Sequence, residues 1–179
     1  CEVGVQIEVE IFLVLGAGGV ARAVAMLLAQ KGASQVILMN RTLEKAGRIA
    51  EEVNRMAGRS LASAMSLAEY GSLPEGYSFL AIQATNVGMY PRVDAAVVED
   101  AAFYRKIHTG YDLVFNPART KFMSLVSQGG GRAYNGLKML LYQGIIAYEL
   151  WTGARVGGDL AAEAFREMEK AMTYRKEES

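Results

Sequence analysis

Short apolar runs alternate along this chain with longer stretches in which apolar residues return every third or fourth position. The short runs suit strands buried on both faces, and the longer stretches suit helices with one face in a core. Together they predict βαβ units feeding a mostly parallel sheet. The first strand is expected at Ile11 to Leu15, followed by a helix from about Val20 to Gln30 that Gly32 is placed to stop. The second strand is Gln35 to Met39. Thr42 can then cap a helix through Met56, its hydroxyl accepting from an exposed amide while Lys45, Arg48 and Glu52 face water; Gly58 ends that helix. Further strands are expected at Leu61 to Met65, Ser78 to Gln83 and Asp112 to Phe115, the last cut off by Pro117. A short helix from Lys121 to Ser127 ends at three glycines, Gly129 to Gly131. A brief strand near Arg132 to Tyr134, a long apolar helix from about Leu137 to Trp151 and a charged amphipathic helix from about Asp159 to Arg175 follow.

In the opening segment, Val3, Val5, Ile7, Val9 and Ile11 alternate with polar residues or glycine, which reads as an amphipathic strand. Extended throughout, ~15 residues at ~3.3 Å each would exceed an ordinary strand, so a break is expected near Glu8 to Glu10. An open edge there could pair with a second copy, which makes a homodimer one expectation. The fold class is therefore α/β: a three-layer, doubly wound, mostly parallel sheet with a C-terminal helical extension. Residues 1–15 are the lead-in and first strand, 11–155 the main domain, and 156–179 a charged helix packing on it.

Composition changes this picture little. The 19 basic and 19 acidic side chains cancel, so the total charge gives no reason to expect nucleic acid as a partner. One cysteine, Cys1, cannot form an internal disulfide, and with a single histidine there is no Cys/His cluster for zinc, so no metal is expected. No apolar run approaches the ~20 residues that cross a bilayer, and the acidic start is unlike a signal peptide; a cytoplasmic protein with no membrane partner is expected. His108, before Thr109 and Gly110, reads as a surface residue at a turn.

Chemistry enters at Gly16-Ala17-Gly18-Gly19-Val20-Ala21, which follows a buried strand, opens a helix and fits G-x-G-x-x-A, the Rossmann dinucleotide fingerprint. Gly16 permits the tight turn, Gly18 lets the backbone approach a pyrophosphate, and Ala21 lets the helix lie close to its strand. The helix amino end then offers free amides and partial positive charge to phosphate. At the end of the second strand stand Asn40, Arg41 and Thr42, where an NAD enzyme would carry an acid for the ribose 2′-hydroxyl. An arginine there can fork onto a 2′-phosphate, with Thr42 adding a hydroxyl and Lys45 a charge, so NADP(H) is expected over NAD.

Five ordered stretches then resemble the shikimate dehydrogenase family, covering Phe12 to about Arg155. They are Leu15 to Gly19, Asn40 to Ala46, Ala84 to Met89, Tyr111 to Pro117 followed by Thr120, and Asn135 to Gly144. The resemblance implies that Gly16, Ala17, Gly18, Gly19 and Val20 hold NADP together with Asn40, Arg41, Thr42 and Lys45. It implies that Thr85, Leu113, Gly136 and Met139 lie at the nicotinamide end, and that Gln143 touches the substrate. Phe115 stands where the family carries a substrate-contacting tyrosine, Gln83 replaces its usual asparagine, and Lys138 sits where glycine is common.

In that family a preceding domain supplies the lysine and aspartate that handle the proton, whereas fifteen residues precede Gly16 here. The implication is an NADP-binding oxidoreductase domain of aromatic amino acid biosynthesis with no catalytic residue of its own. It is expected to meet shikimate or 3-dehydroshikimate only when the missing domain is supplied, and alone to bind cofactor with little or no turnover. The alternatives are a non-catalytic NADP-binding regulatory module, a quinate or aminoshikimate dehydrogenase relative, and a Rossmann-like methyltransferase, against which Arg41-Thr42 argues.

Overall fold

In the computed structural model, which describes residues 5–174, six strands form one sheet in the order β3-β2-β1-β4-β5-β6. They are β1 (Ile11–Leu15), β2 (Gln35–Asn40), β3 (Ala62–Ser66), β4 (Phe79–Gln83), β5 (Ile107–Asp112) and β6 (Arg132–Tyr134), and every pairing is parallel. The six helices are α1 (Gly19–Gln30), α2 (Leu43–Ala57), α3 (Ala101–Tyr104), α4 (Lys121–Gln128), α5 (Leu137–Thr152) and α6 (Gly158–Tyr174).

Alternate residues of each central strand feed two separate cores, which is why these strands read as unbroken apolar runs. Phe12, Val14, Val36 and Leu38 pack against Ala21, Ala25 and Leu28 of α1 and Ala46, Ile49 and Val53 of α2. Leu13, Leu15, Ile37 and Met39 pack on the opposite face with Phe103 and Tyr104 of α3 and Phe122, Met123 and Val126 of α4. The result is three layers, as the sequence pattern predicts. The order in which strands are added reverses between β1, which leads outward through β2 and β3, and β4, which leads outward the other way through β5 and β6. That reversal opens a crevice at the carboxyl ends of β1 and β4.

The structure departs from several expectations. The fifth strand is Ile107–Asp112 rather than Asp112 to Phe115, because Asp112 stops the ladder: one carboxylate oxygen accepts from the Val114 amide at 2.9 Å and the other from the Thr120 hydroxyl at 2.6 Å. His108 lies in that strand instead of at a turn, its ring 3.0 Å from Glu10 Oε2 and 2.9 Å from Thr109 Oγ1. The lead-in forms no strand among the described residues. Ile7–Val9 make a 3-10 turn, Gly32 lies against Glu8, and Ser34 donates to the Glu10 carbonyl; among the described residues the sheet edges are β3 and β6. Residues 1–4 of that predicted strand lie outside the described residues, as does the end of the predicted last helix at Arg175. Thr42 is the N-cap of α2 but makes no side-chain cap; instead Asn40 Nδ2 donates to the Thr42 carbonyl at 2.9 Å and shapes the turn.

Helix α5 is apolar yet only Leu137 in it is buried, while Leu150 and Trp151 are 78% and 85% exposed. It packs against α6, where the Lys138 ammonium lies 5.2 Å over the Phe165 ring.

Candidate functional site

A cleft of about 710 Å³ opens at the carboxyl ends of β1 and β4. Three loops build its walls: the turn after β1, the turn after β2, and the long connection between β4 and α3. On the floor, Gly16 adopts φ +116°, a value that L side chains rarely reach. A Cβ there would sit 2.9 Å from Thr85 Cγ2 and 3.0 Å from the Ala84 carbonyl oxygen, so the first glycine is required by close approach of the β4 loop as well as by its own turn. Nothing lies within 4 Å of the Cβ positions of Gly18 and Gly19, which leaves open space over the backbone at the amino end of α1. That end has no acidic residue in its first turn and no side-chain cap. Free amides, a partial positive charge and open space make it an anion cradle.

The β4 loop is held from beneath by Gln83, which is fully buried. Its Oε1 accepts from the Thr85 amide and the Thr85 hydroxyl, both at 2.7 Å, and its Nε2 donates to the Val87 carbonyl at 2.9 Å. The Thr85 hydroxyl in turn accepts from the Val87 amide at 3.1 Å. The proton of that hydroxyl is therefore committed inward, and Thr85 meets the turn after β1 through its methyl group.

Of the predicted site residues, Gly16, Ala17, Gly18, Asn40, Arg41, Thr42, Lys45 and Thr85 line this one cleft. Gly19 and Val20 form the first turn of α1 beside it, Val20 half exposed. Leu113, Phe115, Gly136, Met139 and Gln143 lie outside it, on the β5–α4 connection and on α5 with its N-cap. Leu113 and Gly136 are in mutual contact: the Gly136 amide donates to Val114 O at 3.1 Å, and a Cβ on Gly136 would collide with the Leu113 carbonyl. Packing thus explains that glycine without a ligand. Gln143 is exposed on α5, and Phe115 is 37% exposed. Ala84, Asn86, Val87 and Gly88 line the cleft too, from the stretch Ala84 to Met89 that resembles the family, whereas sequence reasoning missed Leu67, Arg92 and the run from Ala95 to Val97. A basic residue eight positions beyond Ala84 in a loop that leaves a central strand was the available signal.

Three cations, Arg41, Lys45 and Arg92, and no carboxylate line the cleft, in a chain whose net charge is zero. Uncompensated local positive charge of this kind concentrates anions. Beside the cleft, burial pushes the Asp112 carboxyl up to about 6, against the pull of its bonds from Thr120 and Val114.

Two family profiles match the chain: shikimate/quinate 5-dehydrogenase over residues 3–73, and the shikimate 5′-dehydrogenase C-terminal domain over residues 136–156. A shikimate dehydrogenase (NADP+) from Methanopyrus kandleri is 37% identical over 158 residues, covering 87% of this chain and 53% of that protein. The chain belongs to the shikimate dehydrogenase family. Its fold agrees with a chorismate mutase/shikimate 5-dehydrogenase fusion protein from Clostridium acetobutylicum at TM-score 0.84 and 29% identity, over 96% of this chain and 58% of that one. The shikimate 5-dehydrogenase of Thermus thermophilus, solved with NADP(H) and shikimate, aligns at TM-score 0.69 and 32% identity, over 88% of this chain and 54% of that one. The chain spans about half the length of the relatives it matches. Among the described residues no helix is long and apolar enough to cross a membrane, and no group of three or more His, Cys, Asp or Glu side chains could hold a metal ion.

Proposed function

We propose that this chain is the NADP-binding portion of an NADP-dependent shikimate dehydrogenase, acting in the cytoplasm. The observation that carries the reading is the pairing, in one cleft, of an uncapped helix amino end with a basic turn where an acid would select NAD. The residues fit the group. Space over Gly18 and Gly19 admits a pyrophosphate, while Arg41, Lys45 and the uncommitted Thr42 hydroxyl answer a 2′-phosphate. NADP(H) supplies the hydride chemistry, exchanged with the carbon that is a ketone in 3-dehydroshikimate and an alcohol in shikimate. The protein's part is to bind and orient the cofactor.

Leu113, Gly136 and Met139 are assigned to the nicotinamide end, and Phe115 and Gln143 to the substrate, on the resemblance to the family, and the contact of Gly136 with Leu113 supports placing those two together. The exposed apolar face of α5 suits cover by the remainder of a two-domain enzyme. By itself the chain binds cofactor and turns over little or no shikimate, since among the described residues Lys45 is the one side chain of its cleft suited to move a proton, and it stands at the 2′-phosphate turn away from the nicotinamide end. Fluorescence titration with NADPH and NADH tests the binding, and steady-state shikimate oxidation tests the turnover. Preference for NADH, or normal oxidation by this chain alone, would refute the respective half of the reading.

A further inference from the structure

We propose that Arg92 is a ligand of the cofactor's pyrophosphate, closing on it from the β4 side while the turn after β1 holds it from below. The inference rests on the NADP reading above and adds to it a residue outside the glycine fingerprint and the 2′-phosphate turn.

Three observations carry it. First, Arg92 lines the same cleft as Gly16, Gly18 and Arg41. It is exposed, and among the described residues it has no ion-pair partner, unlike Arg22, Lys106 and Lys121. Second, it does not sit on a loose tether. The Arg92 amide donates to Met89 O at 3.0 Å, and Gly88 at φ +85° brings the loop against the Ala95 carbonyl. The Lys121 ammonium grips the Asp94 carbonyl at 3.1 Å and Glu99 at 2.7 Å, and the Tyr104 hydroxyl donates to Val98 O at 2.5 Å. A cation on an anchored loop loses less conformational freedom when it meets an anion.

Third, topology separates the charges. Arg41 and Lys45 come from the β2 side of β1, whereas Arg92 arrives from the β4 side, and Gly16 to Gly18 lie between them. A ribose 2′-phosphate engaged by the β2 turn is answered from its own side. The anion lying over β1, within reach of the opposite wall, is the pyrophosphate, and a guanidinium can fork onto its oxygens.

The test is titration of the whole chain and of its Arg92→Ala, Arg92→Lys and Arg41→Ala variants with both NADPH and NADH. Since both dinucleotides carry a pyrophosphate, Arg92→Ala should weaken both about tenfold, the lower end for a charge-assisted contact at an exposed site, and leave their ratio unchanged. Arg92→Lys should restore part of that loss. Arg41→Ala should lower NADPH affinity alone. If Arg92→Ala alters neither affinity while Arg41→Ala still discriminates, the inference is overturned and the NADP reading stands. If Arg92→Ala weakens NADPH only, Arg92 belongs to the 2′-phosphate and the pyrophosphate assignment is wrong. Binding of neither dinucleotide by the unaltered chain would overturn the cofactor reading and this inference with it.

Discussion

Replacing Asp112 with asparagine should change how the stability of this domain depends on pH. The carboxyl is fully buried and faces no cation; its two oxygens accept only from the Val114 amide and the Thr120 hydroxyl. Burial raises its pKa from 3.8 to about 6, so between those values the folded protein keeps a proton that the unfolded chain has released. Where the folded state binds more protons, stability falls as pH rises. The full effect is (6 − 3.8) × 1.36, about 3 kcal/mol, present below pH 3.8 and lost as pH climbs through 6.

Asp112→Asn cannot ionise, and its amide keeps an acceptor for Val114 while donating to the Thr120 oxygen. It therefore mimics the protonated acid. Urea unfolding of both proteins at several values between pH 4 and 8 isolates the effect as a difference, because the lowered carboxyls of Glu52, Glu75, Glu99 and Asp100 pull in the opposite direction equally in both. The variant should gain on the wild type by about 2.4 kcal/mol across that range, the remainder of the effect lying below pH 4. A stability difference that stays flat with pH would show that Asp112 does not titrate there, and the account of the buried strand end would fail.

Other perturbations read other parts of the cleft. Arg41→Ala should cost about tenfold in NADPH affinity and nothing in NADH affinity by fluorescence titration, since only the former carries the 2′-phosphate. Gln83→Leu leaves the Thr85 amide and the Val87 carbonyl without their partner; it should lower the thermal midpoint and weaken both dinucleotides together. Gly136→Ala drives a methyl into the Leu113 carbonyl, and chemical denaturation should register a loss of about 1 to 3 kcal/mol. Raising salt from 0.05 to 0.5 M should weaken NADPH more than NADH in an equilibrium titration, because the extra phosphate meets exposed cations.

What could be read in advance followed from whether a segment's environment is set locally. β1 and β2 were legible because both faces are buried, so IFLVL and QVILMN carry the answer in themselves. β5 was not, because IHTGYD looks like a turn. Gly110 is there for a reason outside the strand: a Cβ would meet Val126 at 2.7 Å and Phe122 at 3.1 Å, so helix α4 demands the glycine. The four residues of α3, capped by Asp100, are too few to show a period. The lead-in alternates like a strand, yet its described residues join no ladder and make a 3-10 turn at Ile7–Val9 instead, while β2 and β4 flank β1.

The site divides along the same line. The glycine turn and Arg41 are legible because the chemistry and the chain fold share one short stretch, where a strand ends and a helix begins. Arg92 is invisible to that logic, because nothing in MYPRVD says which wall of which cleft it will join until Gly88, Lys121 and Tyr104 have fixed the loop. The zero net charge hid it further. Nineteen cations and nineteen anions average to a chain with no electrostatic preference, yet among the described residues no carboxylate lines the cleft, and Glu52, Glu75, Glu99 and Glu149 pair with Arg22, Lys106, Lys121 and Arg155 elsewhere. Recognition of an anionic cofactor depends on that local excess over a few ångströms rather than on the total, for at physiological salt a charge more than about 8 Å away is largely screened.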